Sequence, residues 1–501
     1  MFYIRTVKTA SSSEAVQVIR YRNRKRIVVK HIGSAHTQEE LLSLKQTAQK
    51  WIDQETKQQY LFSAERKTTS TLIPVDKLRN LGFRYTFAHE VLTGIFRLMQ
   101  FHTLEPHLLL DFVLMRIIQP ASKLESLELL SEMFGITHKR ADFYRYIPAI
   151  VSLKEKVEQK TIVFAQKQFA FDFSIVFYDV TTLYFESFKE DEESFRKPGF
   201  SKDNKANQPQ IVIGLIVTRD GFPVSYDIFA GNTFEGKTFI PTICKFRDTY
   251  KVLNLTVVAD AAMISLPNVQ SLVTNNLSYI VGARIANLKG DQIKEISSRL
   301  DTVDGASMRI TTERGLLVCD FSLKRYQKDK REMEKQIAKA ERLLEKKEDI
   351  KRAKFLTNKE KKKTEQMLNT SLIEKTKLLL GIKGYYTNLP TESNKTIIDH
   401  YHNLWHVELA FRIAKSDLSM RPIYHFKKQT IEAHILICFM ALAACKYMEL
   451  KTGRSTKAMI KLLKKITDAR IQNTLTKEEL IIRSDVPEEI QQLLKTLSLS
   501  H

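Results

Sequence analysis

The sequence predicts a multidomain α/β protein, and three observations support this class. Its 501 residues exceed the size at which one hydrophobic core stops growing, so two to four domains are expected. Hydrophobic residues form 43% of the chain, a proportion typical of globular proteins. Between residues 173 and 260, short apolar runs rich in β-branched residues alternate with turns and one helical segment. These patterns favour a mixed sheet flanked by helices.

The amino-terminal 170 residues are expected to form two domains without the main sheet. In 1–80, short alternating runs separated by Ser11–Ser13 and Asn23 predict a small basic β-meander, and a helix is expected at 38–51. In 81–170 the pattern is helical throughout. The helices of this second segment are bounded by Pro106, Pro120, Gly135 and Pro148.

Residues 171–262 predict the first part of a core built on a sheet. Strands are expected at 173–180, 211–217, 224–229 and 257–260, with Gly221 in a tight turn and a helix at 238–250. The first strand is apolar on both faces, so we expect it to be buried. An ionised Asp179 inside it needs a compensating charge. Asp260 closes the last strand, and strand ends are where α/β sheets present their chemistry.

Residues 396–450 predict helices that return to the same core. The segment 399–415 contains no Gly or Pro. Five of its residues are spaced three or four positions apart: Tyr401, Leu404, Glu408, Phe411 and Lys415. This spacing predicts one helix with Glu408 and Lys415 on the same stripe. The remaining segment, 451–501, is expected to be a helical tail.

The segment 263–395 is too long for a single crossover between core elements, so it predicts an insertion domain. Its part 323–364 is rich in Lys and Arg and has a helical apolar period, which predicts a charged helical hairpin. Such a hairpin could lie across DNA or against a second subunit. A solvated pair of charged helices is an equal alternative.

Asp179, Asp260 and Glu408 together form the candidate catalytic and metal-binding set. Carboxylates from two strands and a helix suit Mg²⁺, which prefers oxygen ligands and usually binds one or two carboxylates together with substrate phosphate oxygens. Two such ions, about 3.5–4 Å apart, would activate an attacking oxygen and stabilise a leaving one. The alternative is that each is a solvated charge or a helix cap, as is expected of most of the 57 acidic residues.

The charge balance indicates a polyanionic partner. Lys and Arg number 79 against 57 Asp and Glu, which gives a formal net charge of +22. Nucleic acid is the simplest partner for such a surface, through phosphate contacts and counterion release. A solubility role or a preference for membrane surfaces is the alternative.

The cysteines and the apolar runs predict a cytoplasmic protein with no membrane association. The four cysteines are scattered along the sequence and form no Cys-x2-Cys motif, which argues against a zinc site or a disulfide framework. They are Cys244, Cys319, Cys438 and Cys445. The amino terminus lacks the apolar stretch of a signal peptide. The longest apolar run, 435–445, is too short to span a bilayer.

A resemblance to a known family covers the chain from about 170 to 445. The series Tyr401-x2-Leu404-x3-Glu408-x6-Lys415 resembles the Tyr-x2-Arg-x3-Glu-x6-Lys signature of DDE transposases of bacterial insertion sequences. Asp179 in Tyr-Asp-Val-Thr-Thr and Asp260 in Val-Ala-Asp-Ala resemble the first and second aspartates of that family. Further similarity lies at 199–204, 214–217, 231–233 and 385–389, and the amino-terminal stretch 29–35 is also similar.

The resemblance implies an RNase H-like core that cleaves and joins DNA strands with two Mg²⁺ or Mn²⁺ ions and no covalent intermediate. It assigns Asp179, Asp260 and Glu408 as metal ligands. Lys415 would contact the end of the element, and Tyr401 is a further candidate DNA-binding residue. The implied partners are the terminal inverted repeats of a transposon, target DNA and a second copy of the chain in a synaptic homodimer. The helical segment 81–170 would bind DNA ends, with 138–146 as a recognition helix or as an ordinary amphipathic helix.

One position departs from the signature, because Leu404 replaces its Arg. His406 or Arg412 would have to supply the missing cation, although neither has the same helical position. The departure keeps a catalytically inactive DNA-binding relic open as an alternative. A second alternative is a metal-dependent nuclease, which would share the carboxylates but would not join strands.

Three more residues are candidate DNA contacts. Lys202 and Lys205 lie in a loop near the first aspartate and suit phosphate binding, with a solvated loop as the alternative. Trp405 could stack on an extruded base, with core packing as the alternative. Two familiar motifs are excluded: the pair His402 and His406 lacks the general-base Glu of a zincin helix, and the sequence contains no Walker loop.

Overall fold

The fold is described from a computed structural model, which covers residues 2–9, 13–22, 25–56, 75–186, 195–200, 208–345, 353–359 and 362–499. Its internal contacts divide the chain into two compact units. The first comprises Met1–Val91, Glu128–Thr137 and Ile460–His501, and the second comprises Leu92–Leu127 and His138–Met459.

The described residues contain both strands and helices, which confirms the mixed α/β class. The strands are β1 (Phe2–Lys8), β2 (Glu14–Arg22), β3 (Lys25–Ala35), β4 (Leu78–Arg84), β5 (Ile175–Tyr184), β6 (Gln210–Val217), β7 (Pro223–Ala230), β8 (Thr256–Ala259), β9 (Ser278–Ala283), β10 (Ser307–Thr312), β11 (Gly315–Phe321), β12 (Leu356–Lys359), β13 (Lys362–Leu368), β14 (Ile382–Thr387), β15 (Asp468–Asn473) and β16 (Glu479–Arg483).

The helices are distributed along the whole chain. They are α1 (Gln38–Thr56), α2 (Thr86–Leu98), α3 (Leu108–Ile118), α4 (Lys123–Phe134), α5 (Arg140–Ser152), α6 (Lys154–Phe169), α7 (Glu235–Tyr250), α8 (Leu266–Thr274), α9 (Gly290–Arg299), α10 (Leu323–Glu345), α11 (Thr370–Lys377), α12 (Asn394–His402), α13 (Trp405–Arg412), α14 (Lys428–Thr452), α15 (Thr456–Leu463) and α16 (Glu488–Thr496).

The first unit contains two small antiparallel sheets. In one, β1, β2 and β3 form a meander, and α1 packs on it through a cluster that includes Val16, Val18, Leu41 and Leu44. In the other, β15 pairs with both β16 and β4. The helical tail predicted for 451–501 is therefore wrong in its middle, since the strands β15 and β16 lie between the helices α15 and α16. In β15 the apolar residues Ala469 and Ile471 alternate with polar ones, which is the period of a strand, and β15 pairs with β4 as well as with β16.

An eight-stranded sheet organises the second unit. Its order is β10-β11-β14-β9-β8-β5-β6-β7, in which β5 is parallel to β8 and β8 to β9, while the other neighbours are antiparallel. β5 is buried on both faces, as its sequence predicts. The strands β9, β10, β11 and β14, from the segment predicted to be an insertion domain, extend this same sheet.

The charged helical hairpin predicted within 323–364 is wrong in its second half. α10 is a single helix, and the chain beyond residue 352 forms the antiparallel ribbon of β12 and β13. Leu356 pairs with Leu368 across this ribbon, and both pack against the apolar stripe of α10 around Met333 and Ala340. The ribbon thus packs on the apolar face of α10.

α14 is the buried centre of the helices in the second unit. It is long and apolar enough to cross a membrane by length and composition, but 94% of its most apolar window is buried inside the protein. It packs against α3, α5, α6 and β7. Burial on all sides explains its nearly continuous apolar sequence, since a helix that is hydrophobic all round belongs in a core.

Candidate active site

The parallel pairing of β5 with β8 brings the two candidate aspartates together. In the ladder Tyr178 is the partner of Ala259, so the next residues, Asp179 and Asp260, are neighbours across the two strands. Asp179 is half-buried, and its Oδ1 accepts a hydrogen bond from Val180 N at 2.7 Å. Asp260 is the first residue after β8 and is exposed.

The alternation along β5 determines which face carries the chemistry. The side chain of Tyr178 lies on the α7 face, where its hydroxyl donates to Thr238 Oγ1 at 2.8 Å. Asp179, one residue later, therefore points to the opposite face. The helix α13 packs on β5 and β6 and carries Glu408, which is exposed.

Tyr401 lies beside Asp260, and the charges of all three carboxylates affect its pKa. It is 6% exposed, and its hydroxyl donates a hydrogen bond to Asp260 Oδ1 at 3.2 Å. The pKa of Tyr401 is raised, first by burial and then by the negative charges of Asp260, Glu408 and Asp179. Asp260 thus contacts the Tyr401 hydroxyl directly, and the charges of Glu408 and Asp179 also reach it.

A glycine in β9 provides the space for the Tyr401 hydroxyl. A Cβ atom at Gly282 would lie 2.4 Å from Tyr401 Oη and 3.0 Å from Cζ, closer than real Cβ contacts. The Tyr401 ring cannot move away freely, because it packs against Tyr385 with 4.8 Å between the ring centroids. The position of Tyr401 beside Asp260 therefore requires a residue without a side chain, glycine, at position 282.

Lys383 is a residue of this site that the sequence interpretation missed. It lies on β14, with Nζ 4.5 Å from the centroid of the Tyr401 ring and 5.6 Å from that of Tyr385. Its pKa is lowered, first by burial and then by Arg325, while Asp320, Asp260 and Glu408 oppose the shift. Lys383 thus provides a cation near two of the three carboxylates. The sequence signal that could have identified Lys383 is its place two residues before 385–389, a stretch that resembles the family.

The uninterrupted helix predicted for 399–415 is wrong. α12 ends at His402 and α13 begins at Trp405. Between them Leu404 N donates to Tyr401 O at 3.0 Å and Val407 N to Leu404 O at 3.1 Å, the spacing of a 3₁₀ turn. Tyr401, Leu404 and Val407 are all buried, so packing on the sheet overrides regular helical hydrogen bonding.

A π-helical turn follows Glu408 and changes the position of Lys415. It covers Ile413–Asp417, and Leu418 N donates to Ile413 O at 3.0 Å. Glu408 and Lys415 are therefore not on one stripe of a regular helix, as the sequence predicted. Lys415 is half-buried in this turn, whereas Arg412, at the end of α13, is exposed. Single π turns occur frequently at functional sites.

Leu404 and Trp405 differ in their exposure. Leu404 is 5% exposed, so the position at which the family signature has Arg belongs to the core of this chain. Trp405 is 53% exposed and stacks on His406, with 3.9 Å between the ring centroids. The core-packing alternative for Trp405 is therefore wrong. Lys202 and Lys205 lie outside the described residues.

The donor chemistry of the three carboxylates fits a hard divalent cation. All supply oxygen ligands, and Asp260 and Glu408 are exposed. Among the described residues, no group of three or more His, Cys, Asp or Glu is arranged to hold a metal ion by itself. Mg²⁺ usually completes its coordination with substrate phosphate oxygens, so the set fits an ion that is bound together with DNA.

The chain was compared with solved structures and with curated proteins. It is similar to the piggyBac transposase in a synaptic complex with hairpin DNA, with 11% identity, a TM-score of 0.38, and coverage of 75% of this chain and 76% of that one. It is also similar to the Mos1 transposase in a paired-end complex with the left transposon end, with 13% identity, a TM-score of 0.16, and coverage of 47% and 66%. No curated protein matches the chain.

The comparison with family models gives one match. The model of the transposase DDE domain matches residues 170–444, more than half of the chain, and this range contains all the elements that carry the three carboxylates. This chain therefore belongs to the family of transposases with a DDE domain.

Proposed function

We propose that this protein is the transposase of an insertion sequence, which binds terminal inverted repeats and moves the element by a cut-and-paste reaction. The observation that carries the proposal is the neighbouring position of Asp179 and Asp260 on paired strands, with Glu408 near enough for its charge to act on the Tyr401 hydroxyl, within a chain of this family. Each transposon end would be nicked by hydrolysis. The freed 3′-hydroxyl would then attack target DNA.

The strand order supports an RNase H-like core as part of this proposal. β5, β6 and β7 form an antiparallel meander, α7 follows, and β8 and β9 then add parallel to β5 on its other side. This is the order expected for an RNase H-like sheet, with the first aspartate on its first strand and the second directly after its fourth.

In the proposed reaction Asp179, Asp260 and Glu408 would hold two Mg²⁺ or Mn²⁺ ions, which activate the attacking oxygen and stabilise the leaving one. Tyr401 orients the Asp260 carboxylate through its hydrogen bond. Lys383 places a cation beside the carboxylates and supplies the charge that Leu404 lacks. Trp405 is exposed, so an extruded base could stack on its indole ring.

The proposed path of DNA continues from the carboxylates along the first turns of α10. Arg325 is near enough to Lys383 to lower its pKa. A groove beside it is lined by further cations, Lys324, Lys328 and Arg331. Arg412 and Lys415 are proposed contacts to the element end. We further propose that two copies pair the two ends in a synaptic homodimer and that the protein acts in the cytoplasm.

The decisive experiment is Mg²⁺-dependent cleavage of a duplex that carries the flanking terminal repeat. Asp260→Asn should abolish cleavage and leave end binding intact, because it removes a metal-binding charge and keeps the shape of the side chain. Asp291→Asn, on the exposed start of α9, is the matched control and should cleave like the wild type.

The same assay separates the alternatives. Cleavage without a joined product, when a 3′-hydroxyl end and target DNA are supplied, would indicate a nuclease. If the wild type binds the duplex tightly but does not cleave it, the protein is an inactive relic, and Leu404 would be the first residue to examine. Equal loss of binding and cleavage in Asp260→Asn would contradict a metal-binding role for this residue.

A further inference from the structure

A cavity of about 380 Å³ in the second unit has a strongly cationic wall. It lies where α3, the start of α4, α14 and the loop 418–427 meet. The basic side chains in its wall are Arg116, Lys123, Arg421, His425 and His434. Its acidic lining residue, Glu125, is exposed to solvent.

Arg116 has a buried charge that is balanced only by backbone carbonyls. It is 6% exposed, and its guanidinium donates to the carbonyls of Leu418, Ser419 and Ala121 at 3.4, 3.3 and 3.3 Å. Among the described residues no carboxylate forms an ion pair with it. Arg keeps its proton in proteins, so this positive charge persists in the cavity wall.

Lys123 adds a second buried cation in the same wall. It is 7% exposed, and its Nζ lies 5.2 Å from the ring centroid of Phe112 and 5.7 Å from that of Phe143. Its pKa is lowered well below the ordinary value, first by burial and then by the charge of Arg116. No acidic side chain in the described part of the chain pairs with it. Elsewhere this protein does pair such a group, since the buried Lys446 lies 3.3 Å from Glu449.

The two histidines of the wall are neutral near pH 7. The pKa of His425 is lowered to about 3, first by burial and then by Lys123 and Arg116. The pKa of His434 is also lowered well below its ordinary value by burial, and its Nε2 lies 3.1 Å from the carbonyl of Met420. The cavity wall therefore combines the permanent charge of Arg116 with the Lys123 amine and two neutral imidazoles.

We propose that this cavity binds one phosphate-class oxyanion between Arg116, Lys123 and Arg421. Isolated buried charges are costly unless an opposite charge is present, and a tetrahedral oxyanion would supply it. Guanidinium and ammonium groups are the usual ligands of phosphate oxygens. The oxyanion is either a phosphodiester of DNA or free inorganic phosphate, since both present the same oxygens.

The cavity loop is joined to the strand that carries Asp179. Ile423 N donates to the carbonyl of Tyr184 at 3.0 Å, and Ile423 also forms a parallel bridge with Phe185. Tyr184 ends β5, about 17 Å along the strand from Asp179 at roughly 3.4 Å per residue. That separation corresponds to about five base pairs of a duplex. Occupancy by a DNA phosphate rests on the proposed function, whereas occupancy by free phosphate does not.

The test begins with calorimetric titration of inorganic phosphate into the full-length protein at constant ionic strength. The wild type should bind one phosphate, and Lys123→Met should bind it at least tenfold more weakly. Lys294→Met, which removes an exposed lysine of α9, should bind it like the wild type. Arg421→Gln is the second variant, used if Lys123→Met does not fold. Absence of saturable phosphate binding, or equal binding by all variants, would overturn the proposal.

The source of the phosphate is determined by DNA binding at several salt concentrations. If a DNA phosphate occupies the cavity, Lys123→Met should reduce the slope of log affinity against log salt by about one. If the slope is unchanged while phosphate binding is weakened, the ligand is free phosphate. Neither titration requires strand cleavage, so a failure of the proposed catalytic function would not be confused with a failure of this site.

Discussion

At the scale of single residues, one hydroxyl and one ammonium group define the candidate site beyond its carboxylates. The Tyr401 hydroxyl is the common neighbour of Asp179, Asp260 and Glu408, and Lys383 lies over its ring. A hydroxyl donor and an ammonium group thus lie beside negative charges, whose charged forms they favour.

Replacement of Lys383 tests its proposed contact with DNA phosphate. Lys383→Met keeps the length of the side chain and removes the charge, so binding of the terminal-repeat duplex should weaken about tenfold, the effect of losing one charge-assisted contact. Lys377→Met, on the exposed end of α11, provides the control. Electrophoretic mobility shifts at fixed salt would measure both. Equal affinities of the two variants would contradict the proposed role.

Lys123 gives a pH-dependent prediction for stability. Its folded-state pKa is lowered, so the unfolded chain binds the proton more tightly, and the native state is penalised at pH values below the ordinary 10.5. Lys123→Met should therefore stabilise the protein at pH 7 by about 1–4 kcal/mol, in the range found when buried charges are replaced by apolar residues. The advantage should diminish as the pH rises toward 10.5. Urea unfolding at pH 7 and pH 10 would measure it, and a gain that is the same at both would argue against the buried charge as its cause.

At the scale of elements, the site depends on close approach between a strand and a helix. β9 presents Gly282 to α12, and the missing side chain allows Tyr401 to reach Asp260. After α12, a 3₁₀ turn redirects the chain so that the apolar residues of α13 pack on the sheet, and a π turn follows α13. Irregular turns thus position groups that one straight helix could not.

Gly282→Ala should disturb this approach. The added methyl would overlap the Tyr401 hydroxyl, so we expect destabilisation of about 1–3 kcal/mol from overpacking and a loss of Mg²⁺-dependent cleavage of at least tenfold. Gly290→Ala is the control, because its added methyl meets open space. Urea unfolding and the cleavage assay would compare the two. If both variants behave alike, Tyr401 does not depend on Gly282 for its position.

At the scale of the whole molecule, the second unit combines distant segments around one sheet. Strands from residues 175–283 form its first part, and strands from 307–387 extend the same ladder. The helices α3, α5 and α6, from a segment predicted to be a separate domain, pack on α14 in this unit. The site therefore draws Asp179, Asp260, Lys383 and Glu408 from four separate stretches of chain.

The sequence by itself determined the family, the mixed α/β class and the core strands of the site. Two properties made this possible. Apolar runs with a period of two reveal strands locally, and the family pattern around Asp179, Asp260 and Glu408 depends on side-chain chemistry that the sequence states directly. The formal net charge of +22 likewise follows from the composition and does not depend on the fold.

Only the tertiary structure decided the hydrogen bond of Tyr401 to Asp260, the position of Lys383 beside the Tyr401 ring and the burial of Arg116 and Lys123. Each depends on contacts between segments far apart in sequence, as when Tyr401 meets Asp260 or Arg116 meets the carbonyl of Leu418. The helical errors at 399–415, 323–364 and 451–501 have the same origin. Local propensity is weak compared with the free energy of packing an apolar face, so the neighbour that covers that face decides whether a segment continues as helix or pairs as strand.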